Sequence, residues 1–428
     1  MAALFPSPLA AAPLSDLLHA TRTRSLALIE GLAPEDMTVQ SMEDASPTKW
    51  HLAHTSWFFE TFVLKPHLPG YESQDERFAF LFNSYYVQAG PRFSRAQRGL
   101  VTRPTVAEVL AYRASVDDAL ERLLASGDAP LDLIELGCHH EMQHQELMLT
   151  DLLHVLSHNP LRPAYRAPQP LPLRDAAPLR WLSVEGGVHP VGHGGETFAF
   201  DCEVPRHDAL VPDFYIASRC VTNGDWMAFM EAGGYRDPTH WLADGWATCV
   251  REGWEAPGYW WREADGEGDE GWMAFGLRGA QPVDADAPVA HVSYYEADAF
   301  ARWSGARLPT EFEWEHAAAV LSPKIEGTFL DGGRLRPDRA RGDGLAQAWG
   351  DVWEWTASPF AAYPGFTAPE GAVGEYNGKF MCNQFVLRGG SALTPRAQMR
   401  TSYRNFFYPH QRWQMTGLRL ARQTKPGS

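Results

Sequence analysis

The sharpest chemical signal in the chain is a histidine pair, His140 and His144, in the run HHEMQHQE. Side chains four apart on a helix share one face at about 6 Å, close enough for two imidazoles to hold one metal ion. A third imidazole is at hand in WHLAHTSWFFE, where His54 sits in an aromatic, apolar run and His51 lies one turn earlier. Bundle sites draw ligands from facing helices, so His54 is the expected third ligand and His51 its competitor. The bland alternative is a solvated surface pair and a satisfied core histidine. Against it, Leu136, Leu147, Leu149, Leu152 and Leu153 flank the pair and imply a buried helix, where unpaired imidazoles carry a desolvation cost. Glu141 and Glu146 stand ready to hold a ring N–H from behind. Three neutral imidazoles leave coordination positions open, and ligand type alone admits zinc hydrolysis as well as iron oxygenation.

Four helices would position this set. Ser15 and Asp16 open the first, with Leu17, Leu18, Thr21, Leu26, Ile29 and Leu32 at helical spacing and an end near Gly31 to Pro34. Ser46 and Pro47, a favoured N-cap and first-turn pair, start the second, which runs through KWHLAHTSWFFETFVL. Thr105 to Glu108 matches a capping box and opens the third; LDLIELGCHHEMQHQELMLTDLLHVLSH is the fourth, stopped by Asn159 and Pro160. Together, residues 1–158 read as a four-helix bundle with a long crossing loop between its second and third helices. Residues 159–180 hold six prolines and form a stiff linker or strap. From Trp181 to the end, residues 181–428, glycine, tryptophan and short apolar runs dominate, with two clear helical stretches, VTNGDWMAFMEAGG and SYYEADAFARWSG. The fold class is therefore α plus α+β.

Bulk properties agree with two sizeable domains. The 428 residues exceed what one core usually supports, and 16 Trp, 37 Gly and 32 Pro predict a loop-rich half with many buried rings. A formal charge of -16 argues against nucleic acid as a partner, because phosphate binding needs clustered Lys and Arg. Five scattered cysteines without a CxxC pair argue against a disulfide framework. MAALFPSPLAAAPLSD lacks a basic segment before an apolar run, and no stretch reaches the roughly 18 apolar residues of a membrane span, so a cytoplasmic location is expected.

The motif HxxxHxE (His140, His144, Glu146) with the upstream LAHTSWFFE resembles the DinB-like bundle of the ergothioneine-pathway sulfoxide synthases, the EgtB family. VTNGDWMAFM, VAHVSYYEADAFARWSGARLPTEFEWEHAA, GDVWEWTASPF, LRGGSALTPR and GLRLA resemble the formylglycine-generating-enzyme, or C-type-lectin-like, domain that follows it in that family. The likeness runs from about Leu14 to Arg422. It implies a mononuclear non-heme iron oxidoreductase, with Fe(2+) on His54, His140 and His144. The partners implied are dioxygen, hercynine (the trimethylated betaine of histidine) and a sulfur or selenium donor. Gln143 matches a position that hydrogen-bonds hercynine, and Asn405, Phe406 and Phe407 match a segment lying against it. Ring faces there suit a quaternary ammonium. Tyr85 and Tyr86 in FNSYYVQAG match a pair that assists dioxygen activation, a phenol with its usual pKa near 10 being able to give a proton to a developing anion. Arg92 and Arg95 match the neighbourhood that clamps the donor carboxylate.

The chain departs from the family pattern mainly on the donor side. Val87, Gln88 and Phe93 stand where an acid, an alanine and a histidine are usual, and Ala392, Leu393 and Gln398 depart further on. An uncharged, hydroxyl-rich donor has less need of charged clamps and can use Gln88 or Gln398 as hydrogen-bond partners. The departures lean toward the selenoneine synthases (SenA), similar in architecture, which couple hercynine to a selenosugar. The alternative is hercynine sulfoxide synthesis with cysteine or γ-glutamylcysteine. Rival classes are a DinB-type zinc- or thiol-dependent transferase, a binding module with an inert bundle, and a formylglycine-generating enzyme.

Overall fold

A computed structural model describes residues 11–170, 176–195, 197–264 and 270–424. The amino-terminal segment MAALFPSPLA and residues 171–175 of the proline-rich stretch lie outside them. Contacts divide the chain into two compact units, one of Met1–His158, His193–Val204 and Gly365–Lys379, the other of Asn159–Gly192, Pro205–Pro364 and Phe380–Ser428. The helical unit therefore takes in two segments from beyond the proline-rich stretch. Nothing in their composition announces this.

Four long helices frame the first unit: α1 (Ala11–Ile29), α2 (Thr48–Phe59), α3 (Val106–Ser126) and α4 (Leu131–Ser157). The capping box expected at the start of α3 forms: the Thr105 hydroxyl accepts from the Glu108 N–H at 3.2 Å, and the Glu108 carboxylate accepts from the Thr105 N–H at 2.6 Å. Gly127 closes α3 in the left-handed region at φ 83°. Thr105→Ala is expected to lower stability by about 1 kcal/mol, read as a shifted denaturant midpoint at unchanged slope.

The start of α2 differs from expectation. Pro47 occupies the N-cap position, and no side chain caps the helix. Ser46 is engaged elsewhere: its N–H donates to Asp151 Oδ2 at 2.8 Å and its hydroxyl accepts from Arg98 Nη1 at 2.8 Å. Nor does α2 end where its α geometry ends. It widens into a π turn, Glu60–Leu64, before a last α turn, Lys65–His67. Glu60 in that turn is buried and accepts the Tyr71 and Tyr112 hydroxyls at 2.7 Å each, so its carboxylate is hydrogen-bonded twice. Where α2 meets α4, Gly137 has no side chain to interfere with Phe59, whose ring lies 2.3 Å from where a Cβ would be. That close approach is what carries one histidine-bearing helix up to the other.

In the second unit a four-stranded sheet orders Asn405–Phe407, Phe385–Arg388, Trp353–Pro359 and Thr416–Leu418, the last pair parallel and the others antiparallel. Trp181–Val184 and Ala421–Arg422 flank Phe214–Ala217, both antiparallel to it, which ties the beginning of this unit to its end. Besides the two expected helices, here α5 (Asn223–Glu231) and α7 (Tyr294–Trp303), the sheets carry α6 (Ala243–Glu252) and α8 (Glu311–Leu321). Thr310 caps α8 in a capping box with Glu313. Trp226, Trp314, Trp349, Trp353 and Trp355 are fully buried. Among them lie paired charges: Arg419 donates to both oxygens of Glu354 at 2.9 and 2.8 Å, and Arg388 bridges Glu311 and Glu315 at 3.0 and 2.8 Å. Paired buried charges of this kind rigidify a core that has little regular structure.

Candidate metal centre

His54 projects from α2, and His140 and His144 project one turn apart from α4. A ligand nitrogen from each lies within 4.8 Å of the other two. His54 and His140 are buried, whereas His144 keeps a partly exposed edge. The ring planes meet at steep angles, with centroids 5.0 Å apart for His54 and His140, 4.7 Å for His54 and His144, and 4.6 Å for His140 and His144. Such rings point nitrogens toward a shared centre and do not stack on one another.

The hydrogen bonds say which nitrogens are spare. His54 Nδ1 lies 2.6 Å from the carbonyl of Phe82, which can only accept, so the proton is on Nδ1 and the lone pair on Nε2. That Nε2 is buried and has no partner. His140 is buried with neither nitrogen partnered. His144 Nδ1 lies 2.9 Å from His51 Nδ1, and His51 Nε2 lies 3.0 Å from Asp151 Oδ2. The carboxylate accepts from His51 Nε2–H, the His51 lone pair is then on Nδ1, and His144 donates to it from its own Nδ1. His144 Nε2 keeps a lone pair. Buried acceptors without donors are costly, about 1–3 kcal/mol each, and those of His54 and His140, converging with the His144 lone pair, fit an electrophile better than a solvent-filled gap. A first-row divalent ion suits this donor set.

Burial holds all three rings in the neutral, ligand-competent form. It pushes His140 down to about 3, against a small upward pull from Glu141. It also pushes His54 and His144 well below the usual histidine range, with the neighbouring imidazoles adding to the effect. Trp50 and Trp57 stack on His54 at 4.6 and 5.4 Å, and Phe58 packs on His140 at 4.5 Å.

The expectation that Glu141 holds a ring N–H is corrected. Its carboxylate turns into the bundle, accepting from Arg22 Nη1 at 2.9 Å, from Ser25 Oγ at 2.6 Å and from Arg113 Nη2. The ring N–H partners are instead the Phe82 carbonyl and His51. His51, the competing third ligand, thus stands behind His144 and outside the ligand cluster.

Two comparisons cover the chain in halves. A DinB superfamily model matches residues 17–148, and a sulfatase-modifying factor enzyme 1-like domain model matches residues 176–342 and 333–424. The second half is also similar to the formylglycine-generating enzyme of Streptomyces coelicolor, 29% identical over 50% of this chain and 78% of that protein. Other relatives span both halves. The hercynine oxygenase of Mycolicibacterium thermoresistibile is 34% identical over 97% of each chain, and that of Mycobacterium tuberculosis is 33% identical over 94% of this chain and 97% of its own. The chain belongs to the hercynine oxygenase family.

In this hercynine oxygenase family member, Gln143 faces a residue that the sequence reading missed. The Tyr376 hydroxyl donates to Gln143 Oε1 at 2.6 Å, and the Tyr376 ring lies edge-on to His140 at 5.7 Å and stacked on Phe200 at 5.3 Å. Tyr376 and Phe200 come from the two segments, Gly365–Lys379 and His193–Val204, that join the helical unit. Asn377 fastens one to the other by donating to Asp201 Oδ1 at 2.5 Å. Tyr376 and Gln143 lie 233 positions apart, so no local pattern could have paired them.

Tyr85 and Tyr86 stack at 4.5 Å, with hydroxyls 3.3 Å apart. Tyr86 is fully buried against Trp57 and Phe58, one ring removed from His54 and His140. Burial raises both phenols above the usual tyrosine range, so both keep their protons at neutral pH. The backbone N–H groups of Val87 and Gln88 donate to Glu375, which Lys379 also contacts at 2.5 Å. Gln88 and Arg92 are exposed. Arg95 is exposed too, and it donates to the Asp44 carbonyl. The buried arginine of this run is Arg98, which lies over the Trp50 ring at 3.4 Å.

Asn405, Phe406 and Phe407 form an edge strand of the second unit and are half-exposed. Phe406 stacks on Phe360 at 4.0 Å, Phe407 meets Trp413 edge-on at 5.6 Å, and the Asn405 side chain accepts from the Phe406 N–H at 2.9 Å. Ala392, Leu393 and Gln398 are fully buried in that unit. Among the described residues no helix is long and apolar enough to cross a membrane.

Proposed function

We propose that the chain is a mononuclear non-heme iron(II) oxidoreductase that uses dioxygen to couple the imidazole of hercynine to a selenium or sulfur donor, with a selenosugar as the preferred donor. The observation that carries this reading is the convergence of three neutral imidazoles, with spare buried lone pairs on His54 and His140, in a chain similar along nearly its whole length to hercynine oxygenases. His54, His140 and His144 would hold the ion. Open-shell iron supplies single electrons to dioxygen, which closed-shell zinc does not.

The protein's own part is positioning and proton supply. Gln143, held by Tyr376, presents an amide from the ligand helix itself for a polar group of the first substrate. Tyr85 and Tyr86 stay protonated at neutral pH, so either phenol can deliver a proton to charge developing in the reaction. Holding hercynine and donor at one centre converts their encounter into an intramolecular step.

Anaerobically reconstituted protein should be given iron(II), hercynine, dioxygen and either a selenosugar, cysteine or γ-glutamylcysteine, with the product followed by mass spectrometry. A higher kcat/KM with the selenosugar is expected. Faster turnover with cysteine or γ-glutamylcysteine would remove the selenium assignment and leave hercynine sulfoxide synthesis. A zinc-loaded protein active without oxygen consumption would point to the transferase class instead.

A further inference from the structure

The three candidate ligands are held from behind in three different ways. His54 is fixed by a neutral backbone carbonyl, His140 by no hydrogen bond, and His144 by a second imidazole that is itself bonded to a carboxylate. The chain Asp151–His51–His144 is buried at Asp151 and His51, and its distances, 3.0 and 2.9 Å, are those of good hydrogen bonds. Asp151 is anchored in turn, since the same oxygen that meets His51 accepts from the Ser46 N–H, and the Ser46 hydroxyl is occupied by buried Arg98.

Direction follows from the anchor. A carboxylate oxygen accepts, so the proton between Asp151 and His51 sits on His51 Nε2. His51 Nδ1 is left with the lone pair, and only His144 Nδ1–H can fill the 2.9 Å contact. This leaves the His144 lone pair on Nε2, toward His54 and His140. If either link is lost, the ring is free to take its other tautomer, which has a proton where the lone pair is needed. A carboxylate at the end of the chain also raises the basicity of the ligand, an effect that the Phe82 carbonyl exerts only weakly on His54 and that no hydrogen-bond partner exerts on His140.

We infer that His51 and Asp151 are positioning residues that act in series, fixing the tautomer and orientation of His144 and strengthening it as a metal ligand. The inference rests on the metal-centre reading above. His51 is therefore neither a ligand nor a core filler.

The test is divalent-ion affinity, measured anaerobically with Fe(II) and with Co(II) against a competing chelator, on wild type, His51→Phe, Asp151→Asn and the double variant. His51→Phe keeps a ring and removes both nitrogens; Asp151→Asn keeps an acceptor oxygen and removes the charge. Thermal melting of the metal-free proteins reports folding independently, and the nearly isosteric Asp151→Asn variant carries the test even if His51→Phe does not fold. Each single variant is expected to bind the ion roughly 10- to 100-fold more weakly and to shift the Co(II) absorption bands. The double variant should be no weaker than His51→Phe alone, because Asp151 works only through His51. Wild-type affinity in folded single variants, or losses that multiply in the double variant, would overturn the series arrangement. Failure of wild type to bind either ion would instead refute the metal centre together with the relay built on it.

Discussion

His140→Ala is expected to leave the metal-free protein folded and nearly as stable as wild type while removing its capacity to hold iron and turn over. The opposed terms are both visible at this residue. His140 is buried with two unpartnered nitrogens, each costing about 1–3 kcal/mol when nothing bonds it, so truncation relieves a penalty while leaving a cavity against Phe58. A core histidine kept for packing would behave oppositely, its loss destabilising the protein with or without metal. For a ligand the deficit is confined to the loaded state. Affinity should drop by more than the roughly 10- to 100-fold that loss of an outer partner costs. Two thermal melts, with and without Fe(II), distinguish these cases: wild type should gain stability from the ion and His140→Ala should not.

The adjacent residue should give the reverse pattern. Glu141→Gln is expected to lower stability of the metal-free protein by about 3–5 kcal/mol, enough to lose much of the folded population, because it leaves Arg113 buried with no carboxylate hydrogen-bonded to it and Arg22 with Asp117 as its remaining counter-ion. The two arginines are 5% and 1% exposed, so water cannot replace the carboxylate. Acid should reproduce the effect. Burial pushes the Glu141 carboxyl up, but the guanidinium groups of Arg113 and Arg22 outweigh it and hold the group down at about 2. A folded value below the unfolded one gives stability that is complete above about pH 4.5 and lost as pH falls toward 2. Denaturant midpoints from pH 6 to pH 3 should fall in wild type and change less in Glu141→Gln. A flat wild-type profile, or a Glu141→Gln protein as stable as wild type at pH 7, would contradict the buried triad.

Two neighbours on one helix thus divide into a ligand and a structural counter-ion, and the sequence alone did not separate them. The spacing of His140 and His144 was legible because helix geometry is local, as was the Thr105 capping box. His54 was legible as a third candidate because its aromatic, apolar setting marks a buried helix. What stayed hidden was which element faces which. Glu141 lies one residue from a ligand yet points about 100° away around the helix, so its partners come from α1 and α3. His51 looked like a rival ligand because sequence shows its distance along α2 and not the Asp151 that claims its far nitrogen. Tyr376 and Phe200 reach the helical unit through segments without periodicity, where no local rule applies. The Thr310 and Glu313 pattern, by contrast, was a readable signal for α8 that went unused.

The most direct test is diffraction at the iron absorption edge from crystals grown anaerobically with Fe(II) and hercynine. One anomalous peak is predicted, about 2.0–2.2 Å from His54 Nε2, His144 Nε2 and one nitrogen of His140, with His51 outside the coordination sphere. Iron bound through His51, iron bound elsewhere in the chain, or no iron between those three rings would contradict the account.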